Sequence, residues 1–135
     1  MNMNEIKDYM LENKNWVVYG ATPDKEKFGY KIPVRMKNHG YNIFGINSKY
    51  KGENIENINI YESLDEINES IDCIDVVVNP RISLNVIDEA VKKGIKYLWF
   101  QPGTWNDEVL QKAKDNDLNI VYGHCVYAIL GAEGK

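Results

Sequence analysis

The chain has 135 residues, of which 44% are hydrophobic and 27% charged, and its formal net charge is −4. These values are typical of a single soluble domain, so we treat residues 1–135 as one domain. Because the net charge is negative and the lysines are scattered, the chain lacks the basic patch that nucleic-acid binding requires, and we expect no nucleic-acid partner. No apolar run has membrane-spanning length and the N-terminal segment is too polar for a signal peptide, so we expect no membrane partner and a cytoplasmic location.

Hydrophobic periodicity predicts helices and strands that alternate along the chain. In chain order, the predicted elements are an N-terminal docking helix within 1–14, a strand at 16–20, a helix at 28–38, a strand at 41–46, an extended segment or edge strand at 58–61, a helix from 64 to about 70, a strand at 73–79, a helix ending at 93, a strand at 97–101, a helix at 106–115, a strand at 119–122, an apolar segment at 126–130 and a frayed tail at 131–135. This alternation predicts an α/β fold with a single doubly wound, parallel, Rossmann-like sheet.

Three local signals predict how individual helices begin. Ser63 is expected to be an N-cap, with Glu66 as its capping-box partner three residues later. Ser83 is expected to cap the helix after the strand at 73–79. Pro33 interrupts a helical pattern, and we expect it in the first turn, where a missing N–H removes no hydrogen bond.

The first predicted strand ends in a turn of small residues, Gly20, Ala21 and Thr22, and a helix follows at Phe28. A strand, a tight turn and a helix in this order can bind phosphate, because the backbone approaches the ligand and the helix N-terminus offers free N–H groups. The turn lacks the G-x-G-x-x-G pattern, so an ordinary connection between a strand and a helix fits equally well.

Ligands of open parallel sheets bind beyond the carboxyl ends of the strands, so the segments that follow strands are candidate site residues. They carry amide, hydroxyl, small and cationic groups and no carboxylate pair, which favours an anionic ligand and predicts no catalytic residue. The two cysteines lack metal-ligand spacing, so we expect free thiols and no metal. The candidate residues after the later strands are Asn47, Ser48, Lys49, Asn79, Pro80, Arg81, Gln101, Pro102 and Gly103, with Gly123, His124 and Cys125 after the last strand.

Lys49 stands at the end of the second strand, where an NAD site needs an acidic residue for the ribose hydroxyls. A lysine there argues against NAD and favours a ligand with a phosphate on its adenosine ribose. NADP and coenzyme A both meet this requirement.

The order and spacing of five short motifs resemble the CoA-binding domain family, the small Rossmann-like proteins related to the N-terminal domain of the succinyl-CoA synthetase α subunit. The resemblance runs from about residue 16 to residue 130. Ser48 stands where the family usually has proline, and the phosphorylated histidine of the synthetase has no counterpart. The motifs are Gly20-Ala21-Thr22, Ile46-Asn47-Ser48-Lys49, Ile74-Asp75-Val76-Val77-Val78-Asn79, Leu98-Trp99-Phe100-Gln101-Pro102-Gly103 and Cys125.

The resemblance implies that coenzyme A lies across the strand ends and that no catalysis accompanies binding. The turn at 20–22 would hold phosphate oxygens through its N–H groups and the Thr22 hydroxyl, and Lys49, helped by Lys51, would pair with the 3′-phosphate or the diphosphate. Residues 79–81 would wall the adenine, and residues 101–103 would line the pantetheine end. Cys125 could form a mixed disulfide with the CoA thiol.

Two further interpretations remain open at this point. An NADP-dependent reductase needs a proton donor among the strand ends, which only His124 and Cys125 offer. A regulatory or partner subunit of a larger acyl-CoA ligase-type complex would associate with a ligase polypeptide. The aromatic residues around Trp105 make a homodimer possible.

Overall fold

The computed structural model of the chain describes residues 1–132, which form five α-helices and a seven-stranded sheet. The helices are α1 (Met3–Glu12), α2 (Phe28–Asn38), α3 (Pro80–Lys93), α4 (Asp107–Asp115) and α5 (Val126–Ala132). The strands are β1 (Asn15–Tyr19), β2 (Asn42–Ile46), β3 (Asn54–Ile55), β4 (Ile58–Tyr61), β5 (Cys73–Val76), β6 (Tyr97–Phe100) and β7 (Asn119–Tyr122).

The strands follow the order β3-β4-β2-β1-β5-β6-β7 across the sheet. Six of them run parallel, and β3 pairs antiparallel with β4 at one edge. The predicted α/β class with a mostly parallel sheet is confirmed, whereas β3 was not predicted and makes β4 an inner strand. The direction in which strands are added reverses between β1 and β5, and we call this boundary the seam.

Two hydrophobic clusters cover the two faces of the sheet, because successive strand residues point to opposite faces. Val17 and Ile74 belong to one cluster, with residues of α3 and α4. Trp16, Val18 and Cys73 belong to the other, with residues of α1, α2 and α5. The central strands are therefore buried on both faces, which explains their nearly unbroken apolar sequences.

The predicted helix from 64 to about 70 is wrong, since the segment forms only a single 3₁₀ turn, Leu64–Glu66. Ser63 makes no capping bond with its side chain. Instead, α3 satisfies the backbone here, because Glu89 accepts the Leu64 N–H at 3.3 Å and Lys93 donates to two carbonyls at 2.8 and 2.6 Å. These tertiary bonds replace the ones that a longer helix would make within itself.

The prediction that Ser83 caps α3 is also wrong. Asn79 is the N-cap, and its side chain accepts the Ile82 N–H at 3.0 Å. Ser83 lies buried inside the helix and donates to the Thr104 carbonyl at 2.6 Å. Its hydroxyl therefore fastens α3 to the loop after β6.

Pro33 lies in the second turn of α2 and not in the first, as was expected. Because Pro33 has no N–H, the carbonyl of Gly29 four residues earlier lacks its helical partner. That carbonyl accepts the N–H of Thr22 at 3.1 Å instead. The proline thus allows the helix to hold the turn after β1.

The two ends of the described chain are both helical. Asn2 and Glu5 form a capping box at α1, and Ile6 and Met10 bury its inner face against the core. The expected frayed tail is wrong for residues 131 and 132, which complete α5, and its remainder, 133–135, lies outside the described residues.

Within residues 1–132, every helix is too short or too polar to cross a membrane.

Candidate ligand-binding cleft

A cleft crosses the carboxyl ends of the parallel strands at the seam between β1 and β5. It consists of two adjoining cavities of about 340 and 430 Å³, which share Phe28, Val77 and Val78. The smaller one, the cationic cavity, is also lined by Gly20, Thr22, Lys27, Gly29, Asn47, Lys49 and Tyr50. The larger one, the apolar cavity, is also lined by Ile32, Asn79, Gln101, Pro102, Gly103, Thr104 and Cys125.

The turn after β1 uses all three of its N–H groups within the protein. Gly20 and Ala21 donate to the carbonyl of Ile46 at 2.8 and 3.2 Å, and Thr22 donates to Gly29. Because each of these N–H groups already has an acceptor, the structure adds no support for the expectation that they bind phosphate, which stays a prediction. Thr22 lines the cationic cavity, and its hydroxyl accepts the Asp24 N–H at 3.2 Å and can still donate.

Gly20 is required at the seam for two independent reasons. Its φ of +111° is unfavourable for a residue with a side chain, and a Cβ there would lie 2.4 Å from the carbonyl oxygen of Val77. The turn after β1 therefore packs directly against the end of β5. This close approach places the cationic cavity next to the apolar one.

The N-terminus of α2 supplies the free backbone donors of the cationic cavity. Its N-cap is Lys27, whose side chain makes no capping bond, whereas asparagines cap α1, α3 and α4. Within residues 1–132, the N–H groups of Phe28 and Gly29 have no acceptor. Unsatisfied N–H groups at the positive end of a helix, beside a lysine, favour an anion.

Asn47 and Lys49 form the opposite wall of the cationic cavity. The Asn47 amide donates to the Ala21 carbonyl at 2.9 Å and accepts the Lys49 N–H at 3.0 Å, so it shapes the wall and has little capacity left for a ligand. Lys49 is exposed, and its Nζ lies 5.3 Å from the centre of the Tyr50 ring. Lys51, in contrast, pairs with Glu62 at 3.3 Å outside the cavity.

The apolar cavity lies between α2 and the loops after β5, β6 and β7. Phe28 is 52% exposed at the junction of the two cavities and packs edge-on against Tyr127 of α5, with 5.6 Å between ring centres. Ile32, Val77 and Val78 continue the apolar wall. Polar groups of the loops after β5 and β6 give this wall a few hydrogen-bonding positions.

A buried carboxyl group lies beneath the apolar cavity. Asp75 has no solvent exposure, and Gln101 Nε2 donates to its Oδ1 at 2.6 Å. Burial raises the pKa of Asp75 to about 7, and the bond from Gln101 lowers it by less. Gln101 Oε1 in turn accepts the Val126 N–H at 3.3 Å, and Trp99 Nε1 donates to the carbonyl of His124 at 2.9 Å. The loop that carries Cys125 is therefore held to β5 and β6.

The structure brings eight of the twelve predicted site residues to the cleft. They are Gly20, Thr22, Asn47, Lys49, Asn79, Gln101, Pro102 and Gly103. The other four do not line either cavity: Ala21 is buried, Ser48 is exposed on a 3₁₀ turn, and Pro80 and Arg81 begin α3. The adenine wall assigned to residues 79–81 stays a prediction, and only Asn79 of the three lines the cleft.

Several lining residues were not predicted as ligand contacts. The sequence could have indicated three of them, because the helix that follows the first turn begins at Lys27, Phe28 and Gly29. Val77 and Val78 were assigned to the strand, which in fact ends at Val76. Ile32 and Thr104 carried no signal, since only the packing of α2 against the loop after β6 brings them together.

A model of the CoA binding domain family matches residues 14–131. The chain belongs to the CoA-binding domain family. Among curated relatives of this chain, the ADP-forming acetate–CoA ligase of Methanocaldococcus jannaschii is 33% identical over 92 residues, which are 68% of this chain and 13% of the ligase. The protein YneT of Bacillus subtilis is 23% identical over 122 residues, which are 90% of this chain and 89% of YneT.

Solved structures resemble this chain over nearly its whole length. A hypothetical protein from Pyrococcus horikoshii is 29% identical with a TM-score of 0.85, and the match covers 95% of this chain and 89% of that one. A Thermus thermophilus protein is 22% identical with a TM-score of 0.86, which supports the fold alone. The chain therefore has the size of small relatives such as YneT and spans only a small part of the ligases.

Proposed function

We propose that this chain binds coenzyme A or an acyl-CoA in the cleft and has no catalytic machinery of its own. The observation that carries the proposal is that one continuous cleft joins a cationic cavity to an apolar cavity in a member of the CoA-binding domain family. Coenzyme A has the same division, since its nucleotide end carries phosphates and its pantetheine arm is largely uncharged.

The phosphates belong in the cationic cavity. The N–H groups of Phe28 and Gly29 at the start of α2 replace the donors that the turn at 20–22 cannot offer. Lys27 and Lys49 add charge from two sides. Charge-assisted bonds of this type are the strong ones in anion binding, and we assign the 3′-phosphate to Lys49.

The pantetheine arm belongs in the apolar cavity. Phe28 and Ile32 offer apolar contacts along its length, and the Thr104 hydroxyl, which donates to the Gln101 carbonyl at 2.7 Å, can accept from an amide group of the arm. Cys125 marks the far end, near which the thiol or thioester would lie. We assign no reaction to the site, because its lining residues include no carboxylate or histidine that could act as an acid or base.

Thermal unfolding with coenzyme A, dephospho-CoA, acetyl-CoA, NAD and NADP tests the proposal. A ligand that binds only the folded state adds about 2.7 kcal/mol of stability at a hundredfold excess over its Kd. We expect a rise in Tm with coenzyme A and acetyl-CoA and none with NAD or NADP. A rise with NADP alone would replace this proposal with a redox enzyme.

A second candidate function is that of a partner subunit. It is favoured by the ligase relatives, one of which is the α subunit of an ADP-forming acetate–CoA ligase from Pyrococcus furiosus, 27% identical over 90 residues. This chain spans 19% of that subunit, and in this role it would associate with a ligase-type polypeptide. The absence of any ligand-induced rise in Tm would direct the search to such a partner.

A further inference from the structure

Asp75 is a buried carboxyl group with one oxygen that makes no hydrogen bond. Its Oδ1 accepts the amide of Gln101, but Oδ2 has no partner among the described residues. A carboxylate can only accept hydrogen bonds, so an ionised Asp75 requires the NH₂ group of Gln101 to face it. When Asp75 takes up a proton, this unpaired oxygen is one of the two positions that the proton can occupy.

The orientation of the Gln101 amide is passed on to the loop before α5. With its NH₂ group on Asp75, Gln101 presents its carbonyl oxygen to the Val126 N–H, at 3.3 Å. A reversed amide would instead point its NH₂ group at this N–H, and two donors would oppose each other. Cys125, the residue before Val126, and Gln101 itself both line the apolar cavity.

A proton on Asp75 favours the reversed amide. On Oδ2 the proton would be a buried donor without an acceptor, which is destabilising. On the oxygen that faces Gln101 it would donate to Oε1, provided that the amide turns round. The two charge states of Asp75 therefore select opposite orientations of one side chain.

The elements packed around Asp75 bring few charged groups. Its register neighbours Val18 on β1 and Trp99 on β6 do not titrate, and on its own strand the pKa of Cys73 is raised by burial. The guanidinium group of Arg35 on α2 donates to the Tyr127 carbonyl oxygen at 2.8 Å. Besides Cys73, the titratable groups of the hydrophobic cluster on this face are Tyr30, Tyr41, Tyr50, Tyr97 and Tyr127, and the loop before α5 adds His124 and Cys125.

We propose that Asp75 is a positioning residue whose charge state sets the orientation of the Gln101 amide, and thereby the position of the Cys125 loop and the ligand affinity of the cleft. The part that concerns affinity rests on the proposed function. Burial places the pKa of Asp75 at about 7, so the orientation changes near neutral pH. When Asp75 is ionised, Gln101 Oε1 accepts the Val126 N–H and holds the loop before α5 in place. When Asp75 is neutral, the reversed amide no longer accepts this N–H and the loop is released.

Calorimetric titration of coenzyme A at pH 6 and pH 8 into the wild-type protein and the Asp75→Asn variant tests the proposal. A group with a pKa of about 7 is ionised in about one molecule in eleven at pH 6. We expect the ratio of Kd at pH 6 to Kd at pH 8 to be about tenfold larger in the wild type. Titration of the CoA phosphates contributes equally to both proteins and cancels in this comparison.

Hydrogen exchange of the unliganded wild-type protein is the second measurement, and it needs no variant to fold. We expect the protection factor of the Val126 N–H to fall about tenfold from pH 8 to pH 6. The matched control is the Val109 N–H, which donates to the side chain of Asn106 at 2.9 Å, and its protection should not change.

Equal Kd ratios in the two proteins overturn the proposal, and so does a Val126 protection factor that is the same at both pH values. If coenzyme A binds at neither pH, the proposed function fails, and the exchange measurement alone then decides whether Asp75 controls the loop. A fall in protection at both Val126 and Val109 indicates general loosening and also overturns the proposal.

Discussion

Replacing Lys49 with alanine should weaken the binding of coenzyme A far more than that of dephospho-CoA. The two ligands differ only in the 3′-phosphate, which we assign to this lysine. Lys49 is exposed at the rim of the cationic cavity and forms no salt bridge within residues 1–132. Its charge is therefore free to pair with a ligand.

The size of the effect follows from the position of the side chain. A hydrogen bond to a charged group contributes about 1.5–3 kcal/mol, and solvent screening at an exposed site lowers this toward about 1–1.5 kcal/mol. The expected loss of affinity for coenzyme A is therefore about fivefold to twelvefold. For dephospho-CoA we expect a change of less than about twofold, since Lys49 then has no phosphate to hold.

Lys51→Ala is the matched control, because Lys51 lies two residues further on and pairs with Glu62 outside the cleft. Calorimetric titration of both ligands into the wild type, Lys49→Ala and Lys51→Ala gives the six Kd values needed. A Lys49→Ala protein that loses affinity equally for both ligands would refute the assignment of the 3′-phosphate. The same conclusion would follow if Lys51→Ala produced the larger loss.

Three further predictions concern other parts of the molecule. Gly29→Ala should lower the free energy of unfolding, measured by urea denaturation, by about 1–3 kcal/mol. The reason is that the added Cβ would lie 2.3 Å from the Gly20 carbonyl oxygen, and an increase in the free energy of unfolding would contradict this packing. Burial raises the pKa of Asp75 from 3.8 to about 7, so the folded state takes up a proton in this range and wild-type stability falls as pH rises through it. Asp75→Asn should therefore gain roughly 3 kcal/mol relative to the wild type from pH 4 to pH 7, whereas parallel pH–stability curves would exclude the shift. CoA disulfide should exchange with Cys125 at the cavity and release one CoA thiol. Cys73 should stay unmodified, because its thiol is buried and burial raises its pKa. Mass spectrometry that finds Cys73 modified before Cys125 would refute this order.

The elements with strong local periodicity could be predicted from the sequence. The helix Phe28–Asn38 and the strand Asn119–Tyr122 have the predicted bounds, because their apolar spacing and their terminal residues agree. The helix expected after Ser63 failed because bonds from α3 determine that segment. The strand Asn54–Ile55 is too short for a periodic signal and exists only through its pairing with β4.

The cleft could be predicted as a set of strand ends but not as a set of contacts. Sequence position identified Lys49 and Gln101, since parallel strands end at one edge. It could not show that the N–H groups at 20–22 are used, because their acceptors, the carbonyls of Ile46 and Gly29, are brought in by the second strand and by Pro33. The free backbone donors of the cationic cavity therefore lie at the start of α2, at residues 28 and 29, and not in the turn at 20–22.

The seam divides the chain into two consecutive halves. Residues 15–61 form the four strands on one side, residues 73–122 form the three on the other, and a single crossing segment joins them. A ligand that reaches from Lys49 to Gln101 would touch both halves and act as a brace between them. Cutting the backbone in the crossing segment would then turn binding into reassembly, so that two fragments of this small protein would report the concentration of the ligand that joins them.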